Sequence, residues 1–173
     1  MPYNAESLKT LCDNVSKTQD FFNRQILIEN PSTYIAFKEN EMEEYELMNA
    51  VAEKTGCKIL LDINNIYVQA HNHQKDPYEY IDAIKAKYIG EIHLAGFSEF
   101  AANDKQTILI DTHSKPVHDP VWELYGYAIE KLGHVPTLIE WDDDLPPLSV
   151  LLGEAEKARN VMQEKLEEPL AAE

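Results

Sequence analysis

The sequence has little positive charge, little cysteine and no long apolar run. Its 173 residues carry 31 Asp and Glu against 15 Lys and Arg, which gives a formal net charge of −16. Such a composition disfavours nucleic acid as a partner, because neutralising phosphates requires a basic surface. No apolar segment approaches the roughly 20 residues that span a bilayer, and the first residues lack the basic and apolar regions of a signal peptide. We therefore expect neither a membrane partner nor secretion.

Cysteine occurs only at Cys12 and Cys57. Two cysteines are too few for a disulfide framework, so we expect a protein of the reducing cytoplasm. Both lie among apolar or helix-forming residues, where small buried cysteines are common, and we expect neither to act as a nucleophile or a metal ligand. The length fits one domain with a sizeable core. We expect this domain to cover residues 1–168, with a frayed tail over 169–173.

Caps and apolar periodicity predict five helices. Asn4 is a suitable N-cap for the first, Gly56 stops the second, and Asp-Pro pairs at Asp76 and Asp119 open the third and fourth. The predicted helices cover residues 4–20, 41–54, 76–90, 119–133 and 148–167.

Short apolar runs of strand length lie between these helices, at residues 25–28, 58–61, 91–94, 107–110 and 137–139. Most are continuously apolar rather than alternating, which is typical of strands covered on both faces in a parallel sheet. Strands and helices alternate along the chain, as in right-handed crossover connections. The pattern predicts an α/β fold with a parallel sheet flanked by helices.

Side chains that can bind metal follow these strands or lie near their ends. They are Glu29, Asp62, His93, Asp111, His113 and Glu140. In a parallel sheet the carboxyl ends of all strands lie on one side, so these residues should converge in space. Carboxylates and imidazoles together are ligands for Zn, Mn or Fe. Helix capping or pairing with arginine would explain any one of them, but the chain has only Arg24 and Arg159. The set as a whole predicts a metal site.

The remaining polar candidates are weaker. We expect His71 and His73 to lie in a polar surface loop, His118 at a helix start and His134 in a surface turn. The run Asp142–Asp144 reads as a solvated loop. No phosphate-binding glycine loop occurs, and no Ser/His/Asp order indicates acyl transfer. No catalytic residue is assigned.

Five motifs occur in a characteristic order: LIENPS at 27–32, LLDINN at 60–65, EIHLAG at 91–96, IDTH at 110–113 and LIEWD at 138–142. In these motifs the chain resembles the MbnB/TglH-like family of multinuclear iron enzymes, long catalogued as a domain of unknown function. The resemblance implies a xylose isomerase-like (β/α)8 TIM barrel with two or three iron ions at its carboxyl face. It also implies a Cys-containing, ribosomally made precursor peptide as substrate, O2 as oxidant, and a small partner protein that presents the peptide.

The resemblance assigns roles to single residues. Glu29 resembles a carboxylate that bridges two ions, and Asp62, His93 and Glu140 resemble the ligands of one ion. Asn65, Asp111 and His113 resemble the ligands of another. In related apurinic endonucleases a histidine stands where Asn65 stands, and the amide oxygen implies a more labile ion.

The resemblance covers only the second half of the barrel, strands five to eight followed by a C-terminal helix. It therefore implies a half barrel, from a fragment of a longer gene product or a truncated reading frame, without the histidines of the first half. We expect the open half to favour a homodimer and weak or no activity alone. The alternatives are a sugar isomerase or phosphodiesterase that uses Zn, Mn or another divalent metal on the same barrel, and a non-enzymatic remnant.

Overall fold

The structure, a computed structural model, describes residues 1–103 and 106–167. The helices are α1 (Ala5–Phe22), α2 (Glu44–Thr55), α3 (Ile63–His73), α4 (Pro77–Ala83), α5 (Asp119–Leu132) and α6 (Leu148–Glu167), with a short 3-10 helix at Ala86–Tyr88. The strands are β1 (Leu27–Glu29), β2 (Lys58–Asp62), β3 (Ile89–Leu94), β4 (Ser98–Asn103), β5 (Gln106–Ile110) and β6 (Thr137–Ile139). The tail predicted at 169–173 lies outside the described residues.

Four strands form one parallel sheet in the order β1-β2-β3-β6. Asp62 pairs with His93, and His93 pairs with Leu138, so the carboxyl ends of neighbouring strands lie at similar heights. Over the described ranges β1 and β6 each pair with one neighbour, and the sheet does not close. The predicted α/β fold with an open, half-barrel sheet is confirmed.

The apolar run at 107–110 is not part of this sheet, so its prediction as a parallel strand is wrong. It lies in β5, which pairs antiparallel with β4 in a separate two-stranded sheet. Only two residues separate Asn103 from Gln106. A connection this short permits a hairpin, whereas a parallel pair needs a crossover of a dozen or more residues.

The helix predictions fail at two places. Residues 63–73, which include the predicted polar loop around His71 and His73, form α3, because the Asp62 side chain accepts a hydrogen bond from the Asn65 N–H and caps the helix. The third predicted helix ends early, at Ala83. The Asn49 side chain bonds the Ala83 carbonyl oxygen and the Lys85 N–H, and thereby fixes a non-helical connection.

The other helices agree with prediction more closely. The second begins at Glu44 rather than 41, since the Glu46 side chain accepts from the Glu43 N–H and sets the start. The first and fourth agree within two residues, and α6 agrees at both ends. The two longest described helices, α1 and α6, are too polar to cross a bilayer, and the others are too short.

The hydrophobic core lies between the sheet and the helices on its outer face. Ile59, Leu61 and Ile92 are fully buried there. Because side chains alternate along a strand, Leu27 and Leu138 point to the opposite, inner face, where they are 38% and 47% exposed. The inner face therefore leaves apolar side chains uncovered on the same side as the strand-end acids.

Gly96, just after β3, holds the segment that carries His113 close to the sheet. A Cβ built on Gly96 would lie 2.3 Å from the Lys115 carbonyl oxygen and 2.4 Å from the Pro116 carbonyl oxygen. Backbone atoms cannot yield as a flexible side chain can, so only glycine fits this contact.

Gly96→Ala should therefore lower the free energy of unfolding by about 1–3 kcal/mol, the usual cost of overpacking. Gly153→Ala is the matched control, since a Cβ at Gly153 in α6 meets no atom within 4 Å. Alanine there should stabilise the helix by up to about 1 kcal/mol. Urea denaturation measures both. Equal midpoints for the two variants would contradict this account of the Gly96 contact.

Candidate metal centre

Four predicted residues meet at the carboxyl ends of the parallel strands. Glu29 ends β1, Asp62 ends β2, His93 lies in β3 and Glu140 directly follows β6. One ligand atom from each lies within 4.8 Å of the others. His93 Nδ1 is 3.0 Å from Glu140 Oε2. Sheet register brings these residues together, because Asp62 pairs with His93 and the Glu140 N–H donates to the Leu94 carbonyl oxygen.

A second group forms beside the first around His113. Its Nδ1 lies 3.1 Å from Glu140 Oε2 and 3.4 Å from Asp142 Oδ2, and its Nε2 lies 2.7 Å from Asp111 Oδ1. Glu140 thus belongs to both groups, while Glu29 belongs to the first. The bridging role that the resemblance implies for Glu29 stays a prediction.

Asp142 lies in an exposed loop, as predicted, and it also contacts His113. Its side chain is 64% exposed, but Oδ2 reaches His113, and its backbone N–H donates to the His113 carbonyl oxygen at 2.7 Å. The spacing from Glu140 is the signal that could have identified it, since residues two apart in extended chain point the same way. Asp143 and Asp144 are exposed, as expected.

Asp111 reaches the site from the hairpin and not from the parallel sheet. Ser32 Oγ donates to its Oδ2 at 2.9 Å, and Asn64 Nδ2 donates to its Oδ1 at 2.7 Å. The Asp111 N–H donates to Tyr34 Oη at 2.9 Å. Contacts from the loop after β1 and from α3 therefore hold this carboxylate beside His113.

His113 itself has a left-handed backbone, with φ at 46°. For a residue with a Cβ this conformation is disfavoured, and it persists only where the surroundings fix it. It turns the imidazole toward Asp111 and Glu140.

Asp62 is the most buried acid of the site. It is 0% exposed, and burial raises its pKa to about 8. Burial also raises the pKa of Glu29, with the neighbouring Glu140 charge adding to the effect. Burial acts to lower the pKa of His113, but the adjacent carboxylates, Asp111 foremost, raise it to about 9. Burial is thus the main cause of the raised pKa of both carboxyl groups, and neighbouring carboxylates cause the raised pKa of His113.

The donor atoms fit a metal ion. Asp62 Oδ2, Asn65 Oδ1 and His113 Nε2 are buried without a hydrogen-bond partner in the described part of the chain. His113 Nε2 is close to Asp111 but is not aligned for a hydrogen bond. An unsatisfied buried polar atom costs about 1–3 kcal/mol, and a cation bound next to such an atom would remove that cost. Carboxylate and amide oxygens with imidazole nitrogens suit a divalent transition metal.

Asn65 has the orientation that its expected ligand role requires. Its Nδ2 donates to the Asn30 carbonyl oxygen at 3.0 Å and to Glu29 Oε1 at 3.3 Å, which leaves Oδ1 free. Among residues 1–103 and 106–167, no lysine or arginine forms an ion pair with Glu29, Asp62, Asp111 or Glu140. In this part of the chain, the basic side chains that lie against these carboxylates are those of histidine.

The other histidines lie apart from these groups. His71 is on α3 with Nε2 3.2 Å from the Thr107 carbonyl oxygen, and His73 Nε2 is 2.9 Å from the Thr33 carbonyl oxygen. His118 precedes α5 as predicted, with its ring stacked on Phe97 at 3.9 Å. His134 is exposed.

Neither cysteine is near the site. Cys57 is buried just before β2, at the strand end opposite Asp62, and Cys12 lies in α1.

Comparison with known proteins places the chain in context. Residues 1–163 match the sequence model of a family described as "RiPP precursor modification enzyme MbnB/TglH/ChrH". A UPF0276 protein of Rhizorhabdus wittichii is 48% identical over 161 residues, which are 93% of this chain and 56% of that protein. A UPF0276 protein of Vibrio parahaemolyticus is 46% identical over 172 residues, 99% of this chain and 59% of that protein. The chain thus spans little more than half the length of these relatives.

A solved structure supports the fold. A xylose isomerase-like TIM barrel protein from Mycobacterium smegmatis, in complex with magnesium, superposes with a TM-score of 0.57 at 15% identity. The match covers 96% of this chain and 54% of that one. Four strands here thus correspond to about half of a TIM barrel chain.

The metal-free protein should be less stable at pH 8 than at pH 6.5. The pKa of Asp62 rises from 3.8 to about 8 on folding, and that of His113 from 6.5 to about 9. Between pH 6.5 and 8 the folded state therefore binds more protons than the unfolded state, so stability falls as pH rises. Thermal denaturation in chelator measures this.

Asp62→Asn is the control for the pH effect, since it removes one of the two titrating groups and should flatten the slope. A wild-type melting temperature that rises between pH 6.5 and 8 would contradict the assignment.

Proposed function

The chain belongs to the MbnB/TglH/ChrH family of RiPP precursor modification enzymes, and on that premise we propose that it forms the metal-binding half of a multinuclear iron oxidase. In its full-length form this enzyme would modify cysteine residues of ribosomally made precursor peptides, with O2 as the oxidant. Two or three iron ions would lie at the carboxyl face of the barrel.

One observation carries the proposal: carboxylates and a histidine from four parallel strands converge, and the most buried of them, Asp62, has an oxygen without a hydrogen-bond partner in the described part of the chain. Glu29, Asp62, His93 and Glu140 would hold one ion, since their ligand atoms lie within 4.8 Å of one another. The second ion would be held by Asn65, Asp111 and the Nε2 of His113, while Asp142 contacts the other ring nitrogen, Nδ1, and orients the imidazole. Iron bound there would supply Lewis acidity and electron transfer to O2.

Hydrogen bonds within the chain position the proposed ligands without an ion. Asp62 gives Oδ1 to the α3 N-terminus and leaves Oδ2 for an ion, and its raised pKa means that binding releases a proton near neutral pH. Asn64 and Ser32 fix both oxygens of Asp111. Glu140 contacts both His93 and His113 and can couple the two ions.

The loop after β1 and the β4–β5 hairpin are placed to receive a peptide. Both follow carboxyl ends of sheet strands, the side where barrel enzymes bind substrates. Ile35 and Phe37 in the loop are 72% and 42% exposed, and Phe100 in the hairpin is 60% exposed. A cavity of about 970 Å³ lies between this loop, α2 and α3. We assign this face to the Cys-containing peptide and to a small partner protein that presents it, in the cytoplasm.

The proposal predicts two separable ions. After anaerobic loading with Fe(II), His93→Ala should lose the ion bound through Asp62 and Glu140. Asp111→Ala and His113→Ala should each lose the other ion, because they lie in the second group. Iron analysis gives the stoichiometry, and Mössbauer spectroscopy separates the two sites. The Cys12→Ala/Cys57→Ala double variant is the control and should keep wild-type iron.

Activity is tested after the barrel is completed with the first half of the Rhizorhabdus relative. The iron-loaded product should consume O2 only with a Cys-containing precursor peptide, and replacing that cysteine by serine should abolish consumption. Equal iron in every variant would contradict the ligand assignment. Metal-dependent sugar isomerisation or phosphodiester cleavage without O2 consumption would favour the alternative enzymes.

The chain alone should self-associate. The outer edges of β1 and β6 offer unpaired backbone groups, and Leu27 and Leu138 leave apolar surface on the open inner face. Two copies related by a two-fold axis would pair β1 of each with β6 of the other and close eight strands. Light scattering at micromolar concentration should give at least the mass of a dimer. Leu138→Lys should weaken association, whereas a wild-type monomer would contradict the model of pairing.

A further inference from the structure

Asn30 connects the first two strands where their regular pairing has stopped. β1 ends at Glu29, whose register partner is Leu60, so the ladder ends two residues before Asp62. The next residue, Asn30, is 0% exposed and turns its amide toward β2. Its Nδ2 donates to the Asp62 carbonyl oxygen at 3.0 Å, and its Oδ1 accepts from the Asp62 N–H at 2.8 Å.

Both bonds are made to the same residue of the neighbouring strand. In a parallel sheet the N–H and C=O of one residue point to the same side. The Asn30 amide therefore bonds the two Asp62 backbone groups that a longer β1 would otherwise pair. A buried backbone N–H and C=O would otherwise lack partners there. Asn30 also accepts a hydrogen bond at its own carbonyl oxygen from Asn65 Nδ2. Through its side chain and its backbone carbonyl, Asn30 thus joins the end of β1 to the end of β2 and to the first turn of α3.

We propose that Asn30 is a positioning residue of the metal centre, which sets the height of Asp62 relative to Glu29. This rests on the proposed function, in which both carboxylates hold an ion. Glu29 precedes Asn30 directly, and the Asn30 amide donates to the Asp62 carbonyl oxygen and accepts from the Asp62 N–H. These two hydrogen bonds fix the two proposed ligands relative to each other across adjacent strands. Side chains around a metal that fix its ligands typically change affinity by about 10–100-fold when removed.

Asn49 provides a matched control in the same fold. It is also buried, and its side chain also makes one bond to a backbone carbonyl oxygen, that of Ala83 at 3.0 Å, and one from a backbone N–H, that of Lys85 at 2.9 Å. These bonds join α2 to the segment after α4 and touch none of the proposed ligands. Asn49→Ala therefore removes the same chemistry at a place where only stability should respond.

The test is Co(II) binding, followed by visible absorption, in the wild-type protein and in Asn30→Ala and Asn49→Ala. Both variants should melt at a lower temperature than the wild type. Only Asn30→Ala should weaken the binding of the ion held by Asp62, by about 10–100-fold, with a changed ligand-field spectrum. Asn30→Ser keeps a hydroxyl that can make one of the two bonds, so its loss of Co(II) affinity should be intermediate. It is used in place of Asn30→Ala if that variant fails to fold.

The outcomes separate the two claims. If Asn30→Ala and Asn49→Ala both bind Co(II) as tightly as the wild-type protein, the positioning role is overturned and the metal site is left intact. Equal loss of affinity in both variants would assign the effect to general destabilisation and would also overturn it. Wild-type protein that binds no Co(II) would overturn the metal site and the positioning role together.

Discussion

The concentration of negative charge at the carboxyl ends of the sheet is the constraint on which the rest of the structure depends. Asp62 is completely buried, and Glu29, Asp111 and Glu140 lie around it without an ion pair to lysine or arginine in the described part of the chain. Charge in this setting is costly unless hydrogen bonds or a cation compensate it. The local structure is arranged accordingly: helix α3 begins at Asp62, asparagines bond the surrounding backbone and carboxylate groups, and two histidines lie between the acids.

The sheet is open on the side that carries these acids. The outer face of the sheet has a regular core of Ile59, Leu61 and Ile92 under the helices. Within residues 1–103 and 106–167 the inner face has no equivalent cover, and this chain spans only 56% and 59% of the length of two relatives. In a closed barrel, further strands would fill the inner face and exclude water from the site. A lower effective dielectric constant would then strengthen every interaction between an ion and its ligands.

Residue spacing could predict the parallel strands and the convergence of the candidate site residues, because both follow from local pattern. Apolar runs followed by Glu29, Asp62 and Glu140 are enough to place three carboxylates at one edge. The hairpin was not predictable from apolar content, because an apolar run such as residues 107–110 suits either a parallel or an antiparallel strand. Its pairing is decided by β4, the strand that precedes it in the chain. Helix α3 is not evident from the sequence, because residues 63–73 contain three asparagines and two histidines, which have modest helix propensity. The contact between Asp142 and His113 is not evident either, because an acidic run usually marks solvent and the contact depends on how the His113 segment folds.

The two oxygens of Asp62 have separate tasks, and this restricts what evolution can place there. One oxygen caps α3 at 2.7 Å from the Asn65 N–H, and the other is left free toward the proposed ion. Asparagine or serine could also cap the helix, but either would remove the charge. Aspartate meets both requirements at once. The helix start and the charge of the proposed metal site are thus two demands on one residue, so a change at Asp62 that keeps the cap can still remove charge from the site.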